Sequence, residues 1–229
     1  MTESHFISHY CERTSTGLWG EPINALTNLA FLAAGILALR LYRRQWQSTD
    51  KRDVDLVILI ILLFCIATGS TLWHIIAQPW AELADSIPIL LFISVYLVSS
   101  LWRLLRLGPA LITLIFVLFQ MVNNAVIFLL PKELLNGSLF YVPTWVTLVI
   151  FTVVLFRVHH PAARYFVMAT LLFSAALVFR TLDHAVCASF PIGTHFIWHL
   201  LIALMLYTVF IPLIRFPVVH TSNASSPNR

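Results

Sequence analysis

The sequence predicts an all-α membrane protein, a bundle of seven transmembrane helices. Three observations predict it. Of 229 residues, 59% are hydrophobic and only 10% charged, whereas about a quarter of the residues of a soluble domain are charged. Seven apolar stretches, at 23–42, 54–77, 86–106, 109–130, 139–157, 162–182 and 193–214, each approach the ~20 residues that a hydrocarbon core requires. The connections between them are short, so neighbouring helices should pack antiparallel. One membrane domain is expected over 1–215, followed by a polar, Ser/Asn-rich tail over 216–229 that reads as disordered and cytoplasmic.

Each stretch carries its own boundary signals. The first, 23–42, runs into Arg40, Arg43 and Arg44, with Lys51 and Arg52 beyond. The second, 54–77, stops before Pro79. The third follows Asp85 and closes on Arg103 and Arg106. Gly108-Pro109 opens the fourth and Pro131 ends it. The fifth closes on Arg157, Pro161 precedes the sixth, Pro191 precedes the seventh, and Arg215 ends it.

Orientation follows from the basic residues, which favour cytoplasmic ends. Arg40, Arg43, Arg44, Lys51, Arg52, Arg103, Arg106, Arg157, Arg164, Arg215 and Arg229 fall on one side; Arg13, Lys132 and Arg180 fall on the other. The N-terminus is therefore expected outside and the C-terminus in the cytoplasm. The net charge of +4 expresses this bias and does not point to nucleic-acid binding. The first twenty residues, MTESHFISHYCERTSTGLWG, lack the short apolar run of a cleavable signal.

Cys65 lies inside the second stretch and reads as a small core residue. Cys11 and Cys187 fall on the outer, oxidising side, where two cysteines can pair; their separation is open at this stage. Trp19, Tyr42, Trp46, Trp80, Trp102, Tyr141 and Trp145 read as an interfacial aromatic belt. Trp73 and Trp198 stand apart, because each directly precedes a histidine of interest.

Those histidines carry the chemistry. His195 and His199, at i and i+4 near the start of the seventh stretch, share one helical face about 6 Å apart along the axis. Ser70 and His74 share a face at the end of the second. Asp85 opens the third. Topology brings His74, Asp85, His195 and His199 to one membrane depth, on the outer side. Ionisable residues in a membrane segment are costly and tend to mark a site. Three imidazoles with an open position suit hydrolytic zinc, and no methionine accompanies them to favour copper(I). Asp85 is then a candidate general acid and base, or an N-cap of the third helix. Ser70 is a candidate oxyanion donor, or a hydroxyl bonded back to its own helix. A Ser/His/Asp triad would leave the His195/His199 pair idle. A transporter pathway would place ionisable residues at mid-depth and on both sides, and His159 and His160 sit beside Pro161 in a loop.

Ser70-x-x-x-His74, Asp85 and His195-x-x-x-His199 resemble the alkaline ceramidases and the wider membrane hydrolase superfamily that also holds the adiponectin and progestin receptors. Cys11-Glu12, Glu21-Pro-Ile-Asn24-Ala-Leu-Thr-Asn28 and Asp183-x-x-x-Cys187 are similar to the ceramidase branch in particular. The likeness spans residues 11–199. It implies zinc held by His74, His195 and His199, with catalytic roles for Ser70 and Asp85. It implies hydrolysis of the N-acyl amide of a ceramide-like lipid to a sphingoid base and a fatty acid, and a Cys11–Cys187 disulfide. It also implies a calcium ion at the acidic N-terminal segment, for which Glu12 and Glu21 match. His9, Tyr10 and Thr14 depart from the family pattern there, so Glu12 and Glu21 either hold calcium or brace the first helix. Cysteine usage and compact loops suit a bacterial inner membrane with the site facing the periplasm, or a eukaryotic endomembrane; the short loops and tail favour the bacterial setting. A zinc-containing receptor or signalling protein, or a hydrolase of another N-acyl or ester lipid, is the alternative.

Overall fold

A computed structural model describes residues 9–13, 15, 19–49, 53–131 and 134–216. The tail, from 217 on, lies outside the described residues. The described chain is helical, without strands: α1 Pro22–Thr27, α2 Leu29–Thr49, α3 Val54–Ile76, α4 Pro79–Arg103, α5 Pro109–Leu129, α6 Val142–Arg157, α7 Ala163–Val186 and α8 His195–Arg215. Helices α1 and α2 meet at Asn28 and form the first span, Pro22–Trp46; a 3-10 segment over Leu134–Tyr141 leads into α6 and completes the fifth. Among the described residues, seven helices are long and apolar enough to cross a membrane.

One boundary differs from the sequence expectation in a way that matters for the site. The third span begins at Pro79, not near 86. Proline lacks an N–H that the first helical position would leave unused, and its fixed φ starts the helix. The connection from α3 shrinks to Ala77, left-handed at φ 51°, and Gln78, which is the N-cap. Asp85 therefore stands within α4, and its capping role is excluded.

Burial decides which helices form the centre. The most apolar windows of α3 and α8 are 56% and 67% buried, against 6% for α5. The two helices that carry the histidines are thus the ones most enclosed by the others. Phe31, Leu59, Leu63, Leu155, Phe166, Phe210 and Leu213 belong to the core around them. On α5, Leu114, Leu118, Met121, Val122 and Phe128 face outward, as suits contact with acyl chains. Cys65 also faces outward, which corrects the expectation that it packs in the core. An outer face of α3 open to lipid accommodates it without cost.

The bundle is fastened at both ends. At the end remote from the histidines, buried Arg103 donates to both Asp55 oxygens, at 2.5 and 2.7 Å, and pairs with Asp53 at 3.0 Å. At the histidine end, α3 and α4 touch where Gly69 lies against the backbone of Ala84; a Cβ on Gly69 would collide with the Ala84 carbonyl. Glycine is required there because the two backbones meet directly. That approach sets Ser70 beside Asp85.

Candidate metal centre

The three histidines converge. His74 from the last turn of α3 and His195 and His199 from the first turns of α8 are all buried, and one ring nitrogen from each lies within 4.8 Å of the others. The ring centroids of His195 and His199 are 4.5 Å apart, those of His74 and His199 4.8 Å, and those of His74 and His195 5.3 Å. Trp73 and Trp198 are buried beside them and so leave the interfacial belt.

The outer nitrogens show what the inner ones present. His74 Nδ1 lies 2.5 Å from Glu21 Oε2, an acceptor, so the ring donates there and Nε2 carries a lone pair. His199 Nδ1 lies 2.9 Å from Thr27 Oγ1. The Thr27 hydroxyl donates to the carbonyls of Ile23 and Asn24, each at 3.0 Å, so it accepts from His199, whose Nε2 is then also a lone pair. These tautomers are assigned from the hydrogen-bond network. The two Nε2 atoms face each other at 3.2 Å. Two lone pairs so placed repel unless a cation lies between them. His195 Nδ1 is buried with no partner among the described residues. The inward lone pairs of His74 and His199, with their outer nitrogens held by a carboxylate and a hydroxyl, and the unpartnered His195 Nδ1 beside them fit a metal ion as histidine ligands are commonly arranged.

Ser70 and Asp85 lie alongside. The Ser70 hydroxyl is within hydrogen-bonding reach of the Asp85 carboxylate. Asp85 Oδ1 is buried and has no partner among the described residues, so one oxygen is open to accept a proton.

The N-terminal segment folds over this centre and supplies residues that sequence reasoning missed. Glu12 accepts from the N–H groups of Ile23 at 2.6 Å and Asn24 at 2.8 Å. With Pro22 lacking an N–H, those are the first free donors of α1, and the carboxylate caps them while complementing the helix dipole. Arg13 places Nε 2.5 Å from Glu21 Oε1 and donates to the His74 carbonyl at 2.7 Å. Burial pushes the Glu21 carboxyl up, but its bond to His74 and the Arg13 guanidinium outweigh that and hold it below the usual carboxylate range. Each oxygen of Glu12 and Glu21 thus accepts from a protein donor, so Glu12 braces α1 and Glu21 braces His74.

The segment is itself tied down. Cys11 and Cys187 form a disulfide with Cα atoms 5.3 Å apart. Fully buried Asp183, on α7, accepts from the N–H groups of Cys11 at 3.0 Å, Thr194 at 2.6 Å and His195 at 2.9 Å. It therefore caps α8 from a neighbouring helix and fixes where the helix bearing two histidines begins. Gly193, at φ +64°, turns the chain into α8 against the Asp183 carboxylate, and a side chain there would strike that carboxylate. Tyr10 stacks on His195 with ring centroids 3.6 Å apart. Asp183 stood out in the sequence by its spacing to Cys187, whereas Thr27 lay within the Glu21–Asn28 stretch without being singled out. Nothing local marked Arg13 or Tyr10.

The described residues thus form a seven-helix bundle of membrane-spanning length with a buried three-histidine cluster, roofed by a disulfide-tethered segment. The ceramidase family's sequence profile matches residues 7–228, and the chain belongs to that family of membrane hydrolases. No curated protein is similar enough to the chain to count as a relative.

Proposed function

We propose that the protein is a zinc-dependent amidohydrolase that cleaves the N-acyl amide of ceramide-like lipids to a sphingoid base and a fatty acid. The observation that carries this reading is the pair of facing imidazole lone pairs, His74 Nε2 and His199 Nε2 at 3.2 Å, with the unpartnered His195 beside them. His74, His195 and His199 would hold a zinc ion, which would supply Lewis acidity and ease the deprotonation of water. The described residues offer three ligands and no fourth, which favours catalysis over a purely structural metal.

The chain's own residues divide the remaining work. Asp85, with Oδ1 open, takes the proton of the attacking water and returns it to the departing amine. Ser70 has a single hydroxyl proton. While Asp85 is ionised that proton is drawn to the carboxylate. Once Asp85 is protonated, it can donate to Ser70, and the hydroxyl is free to donate to the oxyanion. Glu21 and Thr27 hold the imidazoles in the tautomers that face inward.

The lipid has a place to lie. An apolar cleft between α4, α5, α6, α7 and α8 is lined by Phe92, Tyr96, Phe151, Phe166, Phe173 and Leu206, among others. Phe173 packs on Trp198, the neighbour of His199, at 6.1 Å between ring centroids. Trp198 thus joins the wall of the cleft to the turn of α8 that carries His199. Burial of each methylene contributes about 0.8 kcal/mol, so short soluble amides should be poor substrates. We also place the histidine end on the outer side of the membrane, on the strength of the basic residues at the opposite end.

The test is a panel of N-acyl and ester lipids offered to the purified protein. Fatty acid should be released from an N-acyl sphingoid base, and release should stop with a zinc chelator and in His199→Ala. Faster cleavage of ester lipids would redirect the substrate class. No release from any lipid by fully zinc-loaded protein would overturn the hydrolase reading in favour of a receptor.

A further inference from the structure

Arg180 has no assigned task in this chemistry, yet it lies beside it. Its guanidinium carbon sits 5.3 Å from the ring centroids of Tyr141 and Trp198 and 5.6 Å from that of Tyr10. One nitrogen donates to the Tyr10 hydroxyl at 3.1 Å. Nε is buried and has no partner among the described residues. No described carboxylate pairs with it; the ion pairs of the described chain involve Arg13, His74 and Arg103. Three aromatic faces ease the burial of a cation, but a guanidinium with an idle donor is costly to keep away from water. Arginine, unlike lysine, offers a planar fork that matches a carboxylate, sulfonate or phosphate with two parallel hydrogen bonds.

Its position joins the two halves of the lipid site. On one side Tyr10 bridges it to His195, and Arg180 is within electrostatic reach of Asp85, His195 and His199. On the other, Tyr141 and Trp198 of its cage pack on Phe173, which walls the apolar cleft, at 6.5 and 6.1 Å between centroids. Arg180 thus stands one aromatic layer from the wall of the cleft.

We propose that Arg180 is the receptor for an anionic oxygen group on an amphiphile whose chain occupies the cleft. This rests on the lipid reading of the site. The group has two possible sources, the carboxylate of the released fatty acid or an anionic headgroup on the uncleaved lipid. Arg180 is a binding residue here; no proton passes through it.

The purified full chain in detergent micelles tests it by direct binding, read as thermal stabilisation and by calorimetry. One arm compares palmitate with hexadecanol, which differ only in the head. The other compares N-palmitoyl taurine with N-palmitoyl ethanolamine, anionic against neutral heads. The wild type should prefer the anionic member of at least one pair by 10-fold or more. A preference in the first arm assigns the product carboxylate, and one in the second the headgroup. Arg180→Gln should abolish that preference at unchanged zinc content, and Arg180→Lys should retain part of it. If Arg180→Gln does not fold, a preference that is fully intact in Arg180→Lys overturns the forked recognition proposed. Equal binding of both members in both pairs would refute the idea, and so would a preference that survives Arg180→Gln, since it would then belong to the metal. Failure of the hydrolase reading is separate: it appears as no fatty-acid release, whether or not Arg180 confers the preference.

Discussion

Glu21 accepts a hydrogen bond from His74 Nδ1 at 2.5 Å, across 53 positions of sequence, and in the same place faces the Arg13 guanidinium. This contact fixes the His74 ring and raises the basicity of the nitrogen that faces the other histidines. Glu21→Gln keeps the size and an acceptor but removes the charge. Zinc affinity should fall by about 10–100-fold, the usual cost of losing such a partner. Competition with a chelator of known affinity measures it, and an unchanged zinc affinity would reduce Glu21 to a brace for α1.

Asp85 and Ser70 should separate binding from turnover. Asp85→Asn is expected to keep zinc and lose about 10²–10⁴-fold in rate, since an amide cannot carry the proton. Ser70→Ala should also keep zinc, with a loss on the order of 10²–10³-fold if its hydroxyl serves the oxyanion. Steady-state kinetics beside elemental analysis of each variant decides the matter. Near-normal turnover in Asp85→Asn would remove it from the reaction, because its capping role is already excluded by a helix that starts at Pro79.

The α3–α4 contact carries its own prediction. Gly69→Ala inserts a methyl group against the Ala84 carbonyl. Overpacking of this kind costs about 1–3 kcal/mol, and relief by separating the helices would pull Ser70 away from Asp85. The variant should melt earlier and turn over slowly while His74, one helical turn along, still binds zinc. Wild-type activity in Gly69→Ala would show that the Ser70–Asp85 distance is unimportant.

Calcium removal should change little. Arg13 bridges Glu21 and the His74 carbonyl, and Glu12 is spent on α1. A chelator selective for calcium over zinc should leave both melting temperature and activity unaltered, whereas Arg13→Ala should lower both. A fall in stability on calcium removal alone would restore Glu12 and Glu21 as calcium ligands.

The sequence by itself determined the bundle and most of the metal centre. Seven apolar runs closed by proline, glycine and arginine leave few alternatives to membrane helices, because a backbone in lipid must satisfy its own hydrogen bonds. The i,i+4 spacing of His195 and His199 put both on one face, and helix alternation brought His74 to their depth. What the sequence left open needed distances. Whether Cys11 meets Cys187, and which protein donors Glu12 and Glu21 accept from, depended on atoms brought together across the chain. Tertiary structure alone revealed that Asp183 caps α8 from α7, that Arg13 occupies the charge of Glu21, and that Arg180 stands caged between the histidines and the cleft. The physical reason is one of range. Periodicity and punctuation report what a segment does along its own axis. A hydrogen bond or a ring contact between side chains of different elements is set by how whole helices pack, whatever their separation in sequence, and no local pattern records it.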